Sequence, residues 1–184
     1  SSLYSTKISV VDITGYKITR HIETGRTTEA IVMKGGMAYV SCWAGGNEVI
    51  VINTYTHEVT GSVEVGMEPE SMAFDKSGML WVLCTGGYSG GFLPEINVID
   101  PDLLTVSKTF TFDSGNSYPS SLVINRSGDT LYYIDRSAWR LPVNSSGLPS
   151  EPFIRASGRT FYRIAKDPAG GRLFVTNALD YQQK

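Results

Sequence analysis

The sequence predicts an all-β fold, and composition, patterning and repetition each point to it. Its 184 residues include 19 glycines and 10 tyrosines, with many valines, isoleucines and threonines, a composition typical of short strands separated by turns. No window has a convincing apolar spacing of about 3.6 residues, the helical period. At 41% hydrophobic and 18% charged, the chain can form one globular domain with a sizeable core.

Internal repeats predict how these strands are arranged. One set of aligned segments is GMAYVSC, GMLWVLC, DTLYYID and GRLFVTN, and each follows a turn. A second set is ISVVDITGYKITRHI, VIVINTYTHEVTGSV, INVIDPDLLTVSKTF and, more weakly, AWRLPVNSSGLPSEPFI. Asp12, Asn53 and Asp100 recur at spacings of 41 and 47 residues. Four strands repeated every 40 to 50 residues or so are the signature of β-propeller blades, each a four-stranded antiparallel sheet.

The repeat also sets the predicted blade boundaries, with strands named A to D from the innermost outward. Residues 1–24 would supply strands C and D of a partial blade, and residues 160–184 strands A and B of another. Residues 28–65, 69–112 and 119–156 would form complete blades. The terminal halves could pair, B against C, into a closed four-bladed ring. The alternative is a segment of a larger ring, which would expose two blade faces.

Two further positions of strand B repeat between blades. Cys42 and Cys84 are equivalent, and stacked sheets lie about 10 Å apart, beyond the roughly 7 Å limit on Cα separation for a disulfide. We therefore expect two buried free thiols. Blade-to-blade packing is expected for the aromatic residues at another shared position: Tyr39, Trp81, Tyr132 and Phe174.

The units resemble the YVTN-type propeller repeat, most clearly in GRLFVTN and VIVINTYTHEVTGSVEVG. The ordered set CTGGYSGG, RSGDTLYYID, AWRLPV and ALDYQQK is similar to the YncE-like surface-layer propellers of Gram-negative gut anaerobes. The resemblance implies a seven-bladed ring in the full-length protein, which would be exported to the cell surface or periplasm and anchored by lipid. Some members are similar to lipoproteins that capture corrinoids for a TonB-dependent outer-membrane transporter. A corrinoid ligand and a transporter partner are therefore implied, but no ligand-site residues.

Propeller connectivity predicts which residues could bind a ligand. We call the end with the B-to-C and D-to-A connections the first face, and the end with the A-to-B and C-to-D turns the second face. The first face has the longer, aromatic loops, and function usually lies on loops held by a rigid scaffold. Flat aromatic rings beside amides and carboxylates suit a corrinoid, or equally a sugar or peptide. Trp43 and Trp139 could instead cap their blades. The aromatic candidates are Trp43, Tyr88, Phe92, Tyr118, Trp139 and Tyr181.

A second candidate set begins the innermost strands. Glu29, Glu70, Ser120 and Tyr162 occupy the same repeat position, so they should point toward the mouth of the central channel. Glu29, Glu70 and Tyr162 are the candidates for contacting a polar ligand there. A metal, or ordered water, is the other possible occupant of this ring.

Charge and motif content argue against several classes of function. A net charge of −2 and a pI near 5.7 do not indicate the excess of positive charge that binding to nucleic acid or an anionic membrane surface requires. The apolar runs are too short for a membrane span, so the chain as given should be soluble, with any export signal or lipid anchor upstream or removed. The glycines after Cys84 precede the strand EINVID rather than a helix, which argues against a phosphate loop.

Catalytic signals are weak as well. His21 and His57 fall on or near an outer strand without metal-ligand spacing, and the pattern G-x-S-x-G does not occur. We therefore predict no catalytic residue, no metal and no cofactor, and expect a non-enzymatic ligand-binding protein. The alternatives are a protein- or glycan-binding surface scaffold and a calcium-dependent, lactonase-type hydrolase that uses Glu29 and Glu70.

Overall fold

The computed structural model describes residues 5–87, 91–113, 116–169 and 171–178, which form antiparallel sheets. Sheet I contains β1 (Lys7–Asp12) and β2 (Lys17–Glu23). Sheet II contains β3 (Thr28–Lys34), β4 (Met37–Cys42), β5 (Glu48–Asn53) and β6 (Glu58–Glu64). Sheet III contains β7 (Pro69–Phe74), β8 (Leu80–Cys84), β9 (Glu95–Asp100) and β10 (Thr105–Thr111). Sheet IV contains β11 (Ser120–Ile124), β12 (Thr130–Asp135) and β13 (Ser137–Pro142), and sheet V contains β14 (Phe161–Lys166) and β15 (Leu173–Asn177).

The arrangement confirms the predicted all-β propeller. Strand order follows chain order within every sheet, and the innermost strands β3, β7, β11 and β14 contact one another in succession. Sheets I and V are separate two-stranded sheets, so the described strands do not close a four-bladed ring. No helix in the described part of the chain is long and apolar enough to cross a membrane.

The repeated Asp or Asn explains the turns on the second face. The Asp12 carboxylate accepts hydrogen bonds from the backbone N–H groups two and three residues later, at 2.9 and 3.1 Å. Asn53 and Asp100 accept the equivalent pairs. The residue four positions after each, Tyr16, His57 and Leu104, has a positive φ. These side chains therefore fix the C-to-D turns by replacing backbone hydrogen bonds.

The core is divided into layers between successive sheets. One cluster joins sheets I and II, a second joins sheets II and III, and a third joins sheets III and IV. In the third, Trp81 stacks on Phe110 at 5.6 Å between ring centroids, and Phe112 meets Tyr133 edge to face at 5.8 Å. Sheets II and III are therefore stabilised by apolar burial on both of their faces.

The cysteines are free and buried, as predicted, and they pack in different layers. Cys42 lies between sheets I and II, and Cys84 between sheets II and III. Burial raises the pKa of the Cys42 thiol to about 11, with the charge of Glu48 adding to the effect. Both thiols are consequently protonated and inert at neutral pH.

The burial of the repeated aromatic residues on strand B depends on whether another element covers them. Tyr39 and Trp81 are only 6% and 2% exposed, which confirms packing between blades. Phe174 is 59% exposed, contrary to that prediction, because among the described residues no further sheet covers this face of sheet V. Tyr132 lies half-buried against Phe153 in the segment after β13, so it packs within its own blade unit.

Sheet IV differs from the predicted four-stranded blade. Its fourth strand is reduced to one bridge, in which Ala138 and Ile154 exchange backbone hydrogen bonds of 3.0 Å. The intervening segment contains Pro142, Pro149 and Pro152, which cannot donate to a ladder. The weak fourth repeat in the sequence therefore corresponds to an irregular segment.

Hydrogen bonds on the second face tie each sheet to the next. Lys34 Nζ donates to the Gly78 carbonyl at 2.7 Å, and the Lys76 backbone N–H donates to the Gly128 carbonyl at 2.8 Å. Arg126 Nη1 donates to the Ala169 carbonyl at 3.1 Å. The A-to-B turns thus form a chain of contacts that fixes the spacing of the sheets.

Candidate functional site

The loop after β4 is held closely by its neighbours. The hydroxyl of Thr27 donates to the Trp43 carbonyl at 2.8 Å, and the buried Glu68 accepts from the Gly45 N–H at 3.2 Å. Trp43 itself is half-buried, and its indole N–H is shielded from solvent without an acceptor among the described residues. Trp43 therefore lies against the blade rather than projecting from the first face.

The glycine-rich loop between β8 and β9 folds back on itself. Gly86 has a φ of +83°, and a Cβ there would lie 2.5 Å from the Phe92 carbonyl oxygen, so only glycine fits. Phe92, in the same loop, is 60% exposed. Tyr88 lies outside the described residues.

Trp139 lies on β13, which corrects its predicted place in a loop. Only Arg136, with a φ of +57°, separates β12 from β13, so the connection is a tight hairpin. The Trp139 ring is nearly parallel to Tyr133, at 6.4 Å and 7°, and its indole N–H donates to the Asp135 carbonyl at 2.9 Å. The side chain is therefore fixed in place before any ligand binds.

Tyr118 is prominent on the first face. It is 66% exposed, and the Arg136 guanidinium lies 5.9 Å from its ring centroid. Its backbone N–H donates to Asp135 Oδ1 at 3.0 Å, and Arg136 donates to the Asn116 carbonyl at 2.9 Å. The D-to-A loop and the hairpin thus hold one another. Tyr181, in the final predicted loop, lies outside the described residues.

A charged cluster spans the beginnings of the innermost strands. Glu70 on β7 forms an ion pair with Arg163 on β14, and its other carboxylate oxygen accepts the Ser121 N–H of β11 at 2.8 Å. The Glu70 side chain is only 10% exposed. The Ser121 hydroxyl in turn accepts the Ile164 N–H at 3.0 Å. One carboxylate therefore joins sheets III, IV and V.

Glu29 on β3 extends this cluster. Burial raises the pKa of its carboxyl group, the charge of Glu70 raises it further, and the charge of Arg163 opposes the rise. Tyr162, on the same strand as Arg163, is 50% exposed and lies with its ring 5.6 Å from the Arg163 guanidinium. Two carboxylates, a guanidinium and a phenol thus lie close together at the beginnings of the innermost strands.

Several residues of this face were missing from the predictions. Arg163, Ser121, Asp135 and Glu68 make contacts that organise it, yet strand alternation would have turned Arg163 away from the channel. Every innermost strand has a register shift near its start, which changes the direction of the following side chains. The available signal in the sequence was that Arg163 directly follows Tyr162, which shares a repeat position with Glu29 and Glu70.

Clefts occur on both faces. On the first face, a cleft of about 490 Å³ and a smaller one of about 210 Å³ adjoin Trp139. On the second face, clefts of about 810 and 550 Å³ lie in the grooves on the two sides of sheet IV. In the larger, the Asp75 carboxylate is already engaged by the Trp81 indole N–H at 2.8 Å and by backbone N–H groups.

Comparisons with known proteins support the fold. No protein-family model and no curated protein sequence matches the chain. Among solved structures, the chain is similar to Kuenenia stuttgartiensis hydrazine synthase, with 20% identity and a TM-score of 0.70 over 94% of this chain. It is also similar to the dihydro-heme d1 dehydrogenase NirN in complex with DHE, with 12% identity and a TM-score of 0.57 over 75% of this chain. The chain spans 56% and 33% of the lengths of these two proteins. Both likenesses indicate a propeller scaffold.

Proposed function

We propose that this protein is a non-enzymatic propeller that binds a corrinoid on its first face, at the cell surface or in the periplasm, for delivery to an outer-membrane transporter. The observation that carries the binding role is a set of three guanidinium–aromatic pairs on that face. They are Arg136 with Tyr118, Arg159 with Phe161, and Arg163 with Tyr162, at 5.3 to 5.9 Å.

Such pairs suit a large flat ligand with polar side arms. Aromatic rings provide rigid apolar contact area at a small cost in conformational entropy. A guanidinium group held against a ring keeps its N–H donors in a fixed plane, and amide carbonyl oxygens are good acceptors for them. The corrin ring carries amide side arms around a flat macrocycle, which matches this combination.

The charged cluster at the channel mouth supports the same face. The half-exposed Arg163 guanidinium lies near the Glu29 carboxylate, so a donor and an acceptor are close together on this face. Neutral primary amides need both kinds of partner, because each presents a carbonyl and an NH₂ group. The ligand identity itself rests on the resemblance of the repeats to surface-layer propellers.

The test is a titration of the complete protein with cyanocobalamin, followed by calorimetry and by the visible absorbance of the ligand. We expect saturable one-to-one binding. A Tyr118→Ala, Tyr162→Ala double variant should bind at least about tenfold more weakly, because two stacking surfaces are removed.

The matched control is Tyr16→Ala, since Tyr16 is 90% exposed on a second-face turn. It should leave the affinity unchanged. Flat heat and absorbance traces at high ligand concentration would remove the corrinoid proposal. Binding that is equally weakened by Tyr16→Ala and the double variant would remove the assignment to the first face.

A further inference from the structure

We infer that the cleft beside Trp139, at the outer edge of the first face, is a binding site for a neutral saccharide. This site adjoins the Arg136–Tyr118 pair of the proposed corrinoid surface, and saccharide binding there does not require a corrinoid. The inference rests on the shape of the cleft, its rigid aromatic wall and its mixture of hydrogen-bond donors and acceptors from charged and hydroxyl side chains.

The cleft has two connected parts. The outer part holds about 490 Å³ and the inner part about 210 Å³, and Ser117, Asp135 and Trp139 line both. The outer volume falls in the range of roughly 300 to 1,000 Å³ that is usual for small-ligand sites. A disaccharide is compatible with this space, with one sugar ring against Trp139.

The wall of the cleft is fixed before binding. Trp139 is held by its stacking on Tyr133 and by its hydrogen bond to the Asp135 carbonyl. Leu148 and Pro149 line the inner part, and Pro152 lines the outer part. An indole ring with apolar neighbours offers a flat surface for the C–H face of a pyranose, and a held ring loses little entropy on binding.

Polar groups surround this surface. Asp113, Asp135 and Glu151 supply carboxylates, and Arg136 and Arg155 supply guanidinium groups. Carboxylates accept hydrogen bonds from sugar hydroxyls, and guanidinium groups donate to them in a planar fork. Three carboxylates face two guanidinium groups, and Glu151 and Arg155 already pair with each other, so the cleft disfavours an anionic ligand. Its mixture of hydrogen-bond acceptors and donors suits a polyol.

The irregular edge of sheet IV explains why the cleft is there. In sheets II and III the fourth strand occupies the outer edge, but in sheet IV only the bridge between Ala138 and Ile154 remains. The segment from 148 to 155 loops past this edge and forms one side of the cleft. The loss of a strand has thus produced a concave surface in place of a closed ladder.

The test is saturation-transfer difference NMR of the complete protein with maltose, cellobiose and lactose, each at tens of millimolar. We expect signals from at least one of the three, strongest for the ring protons of a single sugar residue. Ser117→Leu should abolish them, because Ser117 lines both parts of the cleft and a leucine side chain there obstructs the space between them. Ser117 makes no contact on which the fold visibly depends, so its replacement should leave the thermal midpoint within a few degrees.

Two matched variants separate this site from the rest of the face. Trp43→Phe changes a first-face tryptophan that does not line this cleft and should leave the saccharide signals unchanged. Tyr162→Ala should weaken cyanocobalamin binding and leave the saccharide signals unchanged. The inference is overturned if none of the three sugars gives signals, or if the signals persist in a folded Ser117→Leu variant.

Discussion

Glu70 shows how one side chain connects the inner ring. Its carboxylate binds the Arg163 guanidinium and the Ser121 N–H, so one residue of sheet III is fixed to sheets IV and V. Ser121 has a φ of +61°, a conformation that costs a non-glycine residue about 1 kcal/mol or more. Its hydrogen bonds to Glu70 and to the Ile164 backbone offset that cost.

Loss of the Arg163 charge should destabilise the protein. We expect Arg163→Gln to lower the free energy of unfolding by about 1 to 2 kcal/mol, since it leaves the largely buried Glu70 without its cation. Arg155→Gln is the control, because both side chains of the Arg155–Glu151 pair are exposed. That pair should contribute less than about 0.5 kcal/mol to the free energy of unfolding. Urea denaturation of both variants measures the difference, and equal losses would contradict a special role for the Glu70 pair.

Glu29 should make stability depend on pH. Because its pKa is raised in the folded protein, the unfolded chain releases this proton at lower pH than the native state does. Stability is therefore lost as pH rises from the ordinary glutamate pKa toward the raised value. Glu29→Gln should remove that loss, so the variant should gain stability relative to the wild type over this window and keep the gain at pH 7. Thermal melts from pH 3.5 to 7.5 test this, and a gain that appears only at the acid end would contradict it.

At the residue level, the sequence predicted where residues lie along the inner strands better than the directions in which their side chains point. The repeat correctly placed Glu29 and Glu70 at the beginnings of inner strands. It did not predict Arg163, because the register shift in β14 between Phe161 and Ile164 breaks the alternation from which side-chain direction is inferred. Contacts between distant strands, such as Glu70 with Arg163, have no local pattern.

Among the structural elements, the second-face turns connect one sheet to the next. Gly128 has a φ of +67°, and a Cβ at this position would lie 2.7 Å from the Lys76 backbone nitrogen. The same turn accepts the Lys76 N–H through the Gly128 carbonyl. The glycine is therefore needed both for the backbone conformation and for the contact between sheets III and IV.

Gly128→Ala should consequently destabilise the protein by about 2 kcal/mol or more, from left-handed strain and from the displaced contact. Gly147→Ala is the matched control, since a Cβ at Gly147 would contact nothing within 4 Å. The control should change stability by less than about 1 kcal/mol, in the stabilising direction if at all. Chemical denaturation measures the free energy of unfolding of both variants. A Gly128→Ala variant as stable as the wild type would contradict the assigned role of this turn.

The elements themselves could be predicted where local chemistry determines them. Asp12, Asn53 and Asp100 specify their turns through hydrogen bonds to nearby backbone groups, so their spacing revealed the repeat. Sheet IV was less predictable, because AWRLPV satisfies the strand pattern while the prolines after it leave a single bridge in place of a fourth strand. Trp139 was assigned to a loop because a hairpin connection of one residue was not expected between β12 and β13.

Over the whole molecule, blade packing is interrupted at the faces of sheets I and V. Val11 and Ile18 in sheet I and Phe174 in sheet V are each more than half exposed. Equivalent positions inside the stack, such as Trp81, are buried. The isolated chain of 184 residues therefore presents exposed apolar sheet faces. Burial of these faces against another molecule would be favourable.

We expect this isolated chain to self-associate at micromolar concentration, and Phe174→Ser to reduce the association. Leu103→Ser is the control, since Leu103 is 70% exposed but lies on a turn rather than on a sheet face. Sedimentation velocity at several concentrations measures the effect. A monomeric wild type at all concentrations would contradict the expectation, as would an equal effect of the two substitutions.

The central claim is that the first face binds a large polar ligand on aromatic and guanidinium groups. Hydrogen–deuterium exchange of the complete protein, with and without saturating cyanocobalamin, tests it most directly. The account predicts slower exchange in residues 24–30, 116–121 and 156–163, which carry or adjoin Glu29, Tyr118 and Tyr162, and unchanged exchange in the second-face turns at 13–16, 54–57 and 101–104. Protection confined to the second-face turns, or no protection anywhere, would contradict it.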